Sequence, residues 1–215
     1  MNSDLFVTGT DTNVGKTLLS AVLVAGLKRK YWKPIQTGSC EGTDRETVIK
    51  LTGREAYPET YIFEPPVSPH LAAKKQGVTI HLQQIRRPPS KDPMIIEGAG
   101  GVFVPINDAE FMLDVMRHLG ARIILASRTA LGTINHTLLS VLAIRQAKLP
   151  LLGVVMIGEE NAENRSAIER YGNVPVIGSI PWLETIDRAT LVSVFEQRFD
   201  RRLATDYTDD ADLNP

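Results

Sequence analysis

The 215-residue sequence predicts a doubly wound α/β protein, a mainly parallel sheet with helices on both faces. Two observations carry that reading. Short apolar runs recur along the chain, several nearly continuous, as strands buried on both faces of a sheet must be. Between them lie segments with apolar residues at helical spacing or with loop-forming composition.

In chain order, strands are expected near 5–9, 31–36, 93–97, 121–126, 151–157 and 174–180. The segment 16–30 places Leu18, Leu19, Val22, Leu23 and Leu27 at helical spacing. It ends in Lys28-Arg29-Lys30, which suits the negative end of a helix dipole. Thr43 and Glu46 have the spacing of a capping box for a short helix reaching about residue 52. The run 110–119 stops at Gly120, suited to the left-handed C′ position, with His118 facing the dipole in its last turn. Further helices are expected over 135–148, 161–171 and 187–202. Six prolines interrupt 53–92 (Pro58, Pro65, Pro66, Pro69, Pro88 and Pro89), which is expected to form loops and short helices over one side of a ligand site. No repeat or linker marks a boundary, so 1–203 reads as one domain, and the Asp-rich tail 204–215 reads as disordered.

Composition narrows the function classes. With 43% hydrophobic and 23% charged residues and a net charge of −1, no strongly electrostatic partner such as nucleic acid or a membrane surface is expected. Cys40 is the single cysteine, so no intramolecular disulfide forms and a reducing compartment is the natural home. No segment resembles a signal peptide or approaches the ~20 apolar residues of a membrane span, and a cytoplasmic location is expected. His70, His81, His118, His136 and Cys40 share no metal-ligand spacing, and no Gly-x-Ser-x-Gly elbow occurs.

The chemistry begins at Gly9-Thr10-Asp11-Thr12-Asn13-Val14-Gly15-Lys16-Thr17, directly after Leu5-Phe6-Val7. A strand, a glycine-containing turn and a Lys-Thr pair opening a helix make a phosphate cradle of P-loop NTPase type. Lys16 can reach the β- and γ-phosphates and the Thr17 hydroxyl can hold Mg²⁺. The strict motif would put glycine at position 10, where Thr10 stands; the glycine is one residue earlier. Met94-Ile95-Ile96-Glu97 followed by Gly98-Ala99-Gly100-Gly101 reads as a strand ending in an acid, then a glycine-rich turn. Beside a phosphate cradle, such an acid coordinates Mg²⁺ directly or through water. Lys33 in Lys33-Pro34-Ile35-Gln36-Thr37 either faces the transferred phosphate or is a surface lysine beside a turn. Asp44 is either a second carboxylate for the metal or a first-turn helix acid, and spacing favours the latter. Trp32 and Trp182 read as packing residues, with Trp182 close enough to a strand end to border a ligand.

Six motifs then occur in a telling order: the cradle; Lys33-Pro34 with Thr37-Gly38; Ser68-Pro69-His70; Glu97 to Gly101; Leu131-Gly132 with Ile134-Asn135-His136; and Gly178 with Ile180-Pro181-Trp182. In that order, from about residue 5 to about residue 190, the chain resembles the dethiobiotin synthetases. The resemblance implies closure of a ureido ring on 7,8-diaminopelargonic acid with CO₂ and ATP. A carbamate attacks the γ-phosphate, and the second amine displaces phosphate from the mixed anhydride. It implies that Asn13, Val14, Gly15, Lys16, Thr17, Leu18, Gly98, Ala99 and Gly100 surround the nucleotide, and that Thr17, Asp44 and Glu97 hold Mg²⁺. Lys16 would stabilise the γ-phosphate, and Lys33 the carbamate and the transferring phosphoryl group. Thr12 and Thr37 would contact the diamine. It further implies a homodimer in which Gly132, Thr133 and Asn135 bind the distal carboxylate in the partner's site, with Pro181, Trp182 and Leu183 along the base. One departure stands out: Ile157-Gly158 occupies the place where relatives often carry an adenine-reading asparagine, so the phosphates are better specified than the base. The rival readings are a regulatory or partitioning ATPase with the same deviant loop, which usually carries an early lysine that this loop lacks, and a catalytically silent nucleotide-binding module.

Overall fold

Seven strands lie side by side in the order β4-β2-β6-β1-β7-β8-β9, every neighbouring pair parallel. They are β1 (Leu5–Gly9), β2 (Lys30–Trp32), β4 (Ala56–Tyr57), β6 (Met94–Gly101), β7 (Arg122–Arg128), β8 (Leu151–Ile157) and β9 (Val176–Ile180). The computed structural model describes residues 4–203, so the expectation for the tail lies outside the described residues. A second, two-stranded parallel sheet pairs β3 (Ile35–Thr37) with β5 (Tyr61–Phe63).

Helices cover both faces, because the strands are apolar on both. On one face α1 (Lys16–Leu27), α2 (Asp44–Thr52) and α7 (Arg188–Arg198) bury Leu19, Leu23, Val48 and Phe195 against Val7, Ile95 and Ile124. On the other, α4 (Met112–Leu119), α5 (Thr133–Gln146) and α6 (Ala162–Gly172) bury Met116, Ile144 and Ile168 against Phe6, Ile96 and Leu125. The short helix α3 (Pro69–Lys75) packs on β3 and β5. Buried Asp4 accepts hydrogen bonds from the Met94 N–H (2.9 Å) and from Arg87, fastening the proline-rich stretch to the start of β6.

Several local signals act as expected. Thr43 and Glu46 form a reciprocal capping box on α2, and Gly120 ends α4 at φ 63°. Four expectations change. The helix expected over 16–30 ends at Leu27, with Lys28 as its left-handed cap and Lys30 already opening β2. The strand expected over 31–36 is two strands in different sheets, because Pro34 has no N–H for a ladder and the chain leaves β2 at Lys33. The glycine run after Glu97 is not a turn, since β6 continues through it to Gly101. The segment 53–92 carries two short strands, β4 and β5, besides its loops and helix. The sheet order places β1 centrally, with β2, β4 and β6 added on one side and then β7, β8 and β9 on the other. In such folds ligands gather beyond the carboxyl ends of the strands where the order reverses.

Candidate active site

Between β1 and α1 the chain folds tightly on itself. A Cβ at Gly9 would lie 2.7 Å from Val14 Cγ2 and 3.0 Å from the Asp11 carbonyl oxygen, so the turn closes only over glycine. That is the physical reason for the shifted glycine. Gly15 adopts φ +96°, and a Cβ there would meet Ile157 Cδ1 at 3.0 Å. The Thr10 N–H donates to the Ala126 carbonyl (3.0 Å), and Arg128 donates to the Thr12 carbonyl (2.9 Å), so β7 braces the turn at two points. Lys16 arches back over the turn and donates to the Asp11 carbonyl at 2.9 Å. Burial lowers its pKa to about 8 despite the opposing pull of Glu97, with Lys33 adding to the depression.

Beside the turn, three elements bring a lysine, two carboxylates and a hydroxyl together. Trp32 pairs with Ile96, so Lys33, the next residue, comes level with Glu97 on β6. The Lys33 ammonium donates to Glu97 Oε1 (3.2 Å) and to Asp44 Oδ2. The Thr17 hydroxyl, in the first turn of α1, lies 2.8 Å from Asp44 Oδ1 and 3.0 Å from Glu97 Oε1. Asp44 opens α2, and its N–H donates to Gln36 Oε1 at 3.2 Å. Spacing read Asp44 as a helix acid; it is one, and it also belongs to this cluster. Burial opposes the charge on Lys33, but Glu97 and Asp44 outweigh it and hold the ammonium above its ordinary pKa. Burial likewise opposes ionisation of Asp44, and Lys33 overcomes it and holds the carboxyl below its usual value.

Tyr31 escaped the sequence reading. Its fully buried hydroxyl donates to Glu97 Oε2 at 3.0 Å, and burial, then Glu97, push its pKa well up. The one signal for it was its spacing of two residues from Lys33, which puts both on one side of an extended chain.

Lys16, Thr17, Lys33, Asp44 and Glu97, with Tyr31 buried behind them, line a cleft of about 840 Å³. Thr12, Asn13, Gly15, Thr37, Ala99 and Gly100 line it too, as do Pro66, Val67, Ser68 and Pro69 from the proline-rich stretch. Other residues singled out in the sequence lie elsewhere. Val14 is buried against the turn and Leu18 is half-buried behind it. Gly98 faces the core, where a Cβ would stand 2.9 Å from Phe6 Cε1. Gly132, Thr133 and Asn135 do not line this cleft, and the Thr133 hydroxyl is spent on the Arg128 carbonyl. Pro181, Trp182 and Leu183 follow β9, with the Trp182 ring 80% exposed. Ile157 at the end of β8 packs against Gly15 and offers the cleft no hydrogen-bond donor.

The donor set fits a hard divalent cation. Two carboxylates, each within about 3 Å of the same hydroxyl, match how Mg²⁺ is held, by one or two carboxylates plus substrate phosphates. A ring of three acidic, histidine or cysteine ligands, as a self-sufficient metal cage would need, is not found among the described residues.

A family model described as an AAA domain matches residues 3–190. The ATP-dependent dethiobiotin synthetase BioD of Paramagnetospirillum magneticum is 44% identical over 191 residues, spanning 88% of this chain and 93% of the relative. That of Rhodopseudomonas palustris is 43% identical over 202 residues, spanning 93% and 95%. The chain belongs to the dethiobiotin synthetase family. Among solved structures, a ParA family ATPase from Chlorobium tepidum superposes with a TM-score of 0.56, covering 91% of this chain and 92% of that one. At 12% identity this likeness speaks for the P-loop fold alone, and the partitioning-ATPase alternative gains nothing from it.

Proposed function

We propose that this chain closes the ureido ring of dethiobiotin from 7,8-diaminopelargonic acid, CO₂ and ATP, with release of ADP and phosphate. The observation that carries the reading is Lys33, buried between Asp44 and Glu97 on the floor of the cleft. A lysine kept charged at that place neutralises the carbamate and the phosphoryl group passing to it, and positioning does the rest. Lys16 leaves the Asp11 carbonyl to bind the γ-phosphate, and the amides of Asn13 to Leu18 face the phosphate chain. Thr17, Asp44 and Glu97 would hold Mg²⁺, which when bound neutralises charge on the β- and γ-phosphates. Thr12 and Thr37, which both line the cleft, offer hydroxyls to the diamine. Ser68 and Pro69 narrow the cleft over it.

The homodimer belongs to the same proposal. Phe103, Leu139 and Leu142 are exposed around a groove of about 460 Å³ beside the cleft, and Leu131 projects fully at the turn before α5. Pairing two such faces would carry Gly132, Thr133 and Asn135 into the partner's cleft, where first-turn amides of α5 beyond Thr133, whose own N–H donates to the Ala130 carbonyl, suit a carboxylate. Pro181, Trp182 and Leu183 would border the base. A cytoplasmic location fits an ATP-using enzyme with a single free cysteine.

The test is phosphate release with Mg²⁺-ATP and bicarbonate, with and without the diamine, for wild type and Lys33→Ala. Release that needs the diamine and collapses in the variant is expected. Release indifferent to the diamine would return the protein to the switch-ATPase class.

A further inference from the structure

Glu97 uses its two oxygens for different tasks. Oε1 meets Thr17 at 3.0 Å and Lys33 at 3.2 Å, while Oε2 meets only the Tyr31 hydroxyl among the hydrogen bonds found, at 3.0 Å. Glu97 is 1% exposed and Tyr31 wholly buried, so the contact between them lies inside the protein.

The register explains the reach. Tyr31 pairs with Ile95 across β2 and β6, so Glu97 is its diagonal neighbour on the same face of the sheet. Such neighbours are within range of a long aromatic side chain but not of a short one. The ring packs in the core with Leu19, Leu23 and Ile95, and its buried hydroxyl reaches Glu97.

The last torsion of a glutamate is broad and roughly two-fold, so the backbone does not decide which oxygen faces the cleft. Without a donor at Oε2, the buried carboxylate would gain by turning both oxygens to the Lys33 ammonium. That grip would close Oε1 to any second cation. We propose that Tyr31 is the positioning residue of this site: its hydroxyl holds Glu97 so that Oε1 stays open to a divalent cation while still reaching Lys33. The inference rests on Glu97 being a metal ligand, as proposed above. A donor behind a metal-binding carboxylate commonly governs 10- to 100-fold of metal affinity.

The test uses Mn²⁺ as a spectroscopic probe on the whole chain with a non-hydrolysable ATP analogue, so no turnover is needed. For Tyr31→Phe, the Mn²⁺ Kd read by electron paramagnetic resonance is expected to rise about 10- to 100-fold. Affinity for the same nucleotide in EDTA is expected to stay within about twofold, and replacing Tyr31 by 4-aminophenylalanine, which keeps a donor in place, should restore Mn²⁺ binding. Unchanged Mn²⁺ affinity in the Phe variant would overturn the proposal. So would an equal loss of metal-free nucleotide binding, the mark of a packing defect, or failure of the amino variant to restore the site. If wild type itself gains no Mn²⁺ affinity with nucleotide, the metal assignment falls and this proposal with it. Diamine-dependent turnover, measured separately, decides the synthetase reading.

Discussion

The Lys33 ammonium lies 3.2 Å from Glu97 Oε1, and both of these side chains are nearly inaccessible to solvent. Sixty-four positions separate them in the sequence, and they meet because Pro34 ends β2 at the level where β6 presents its acid. Asp44 adds a second carboxylate to the one ammonium. Among these three groups the carboxylates carry one negative charge more than the ammonium neutralises, with the Lys16 ammonium the next cation that acts on them.

Removing Lys33 tests that balance. Lys33→Met leaves Glu97 buried without its cation, and breaking one side of such a pair costs about 3–5 kcal/mol. The melting temperature in EDTA should fall accordingly, and saturating Mg²⁺ should restore part of it by binding the freed carboxylates. Ring closure should drop by about 10²–10³-fold, the scale of losing one preorganised charge-stabilising group. A melting curve insensitive to Mg²⁺ would argue against Asp44 and Glu97 as the metal's carboxylates.

Lys16 makes the ligand-free protein's stability depend on pH in an unusual direction. Its folded pKa, about 8, lies below the ordinary 10.5, because burial outweighs the attraction of Glu97. Between those values the unfolded chain binds more protons than the folded one, so stability should rise from pH 8 to about 10.5. Below pH 8 the Lys16 contribution is flat. Phosphate binding carries the opposite sign, since it needs the ammonium: nucleotide Kd should rise about tenfold for each unit above pH 8. Calorimetric titrations between pH 7 and 9.5, run beside melting curves, check both slopes, and Lys16→Met should flatten both.

The glycine at position 9 is predicted to be indispensable although the usual motif has none there. Gly9→Ala places a methyl group 2.7 Å from Val14 Cγ2, with the Asp11 carbonyl at 3.0 Å. Backbone must move to relieve it, at about 1–3 kcal/mol. Because the moving backbone is the cradle, ATP affinity should fall at least tenfold while the far-ultraviolet circular dichroism spectrum stays native. An Ala variant with wild-type affinity would show that the turn relaxes freely.

What the sequence made legible was local. The cradle, the capping box at Thr43 and the left-handed stop at Gly120 each depend on a few adjacent residues, and all three appear where the spacing puts them. Long-range placement was not legible. Lys33 and Asp44 each had two readings until the register of β2 against β6 and the start of α2 brought them within bonding distance. Tyr31 looked like any apolar-strand aromatic, because its partner is a diagonal neighbour on a strand more than sixty residues away. The three-residue strands β3 and β5 fell below what periodicity can register, and Pro34 disguised the break that separates β3 from β2. Thr133, a carboxylate ligand only by what the resemblance implies, turns its hydroxyl inward to the Arg128 carbonyl.

The apolar face beside the cleft yields the last prediction. Phe103 rests edge-on against Phe111 with ring centroids 5.9 Å apart, and Leu139 and Leu142 stand exposed on the adjoining surface of α5. Apolar residues concentrated in this way next to a binding cleft mark an interaction surface. If two copies pair through it, Leu139→Asp with Leu142→Asp should convert a dimer into a monomer, as read by analytical ultracentrifugation. Both positions are already solvent-facing in one chain, so the melting temperature of the monomer should stay close to wild type apart from the lost association energy. The separated chain would keep its own cradle and carboxylates, and its affinity for Mg²⁺-nucleotide should hold. The partner's Gly132 and Asn135 would no longer reach the substrate, so the diamine KM should rise far more than the ATP KM. Equal losses for both substrates would place the whole site within one chain and remove the interface from the mechanism.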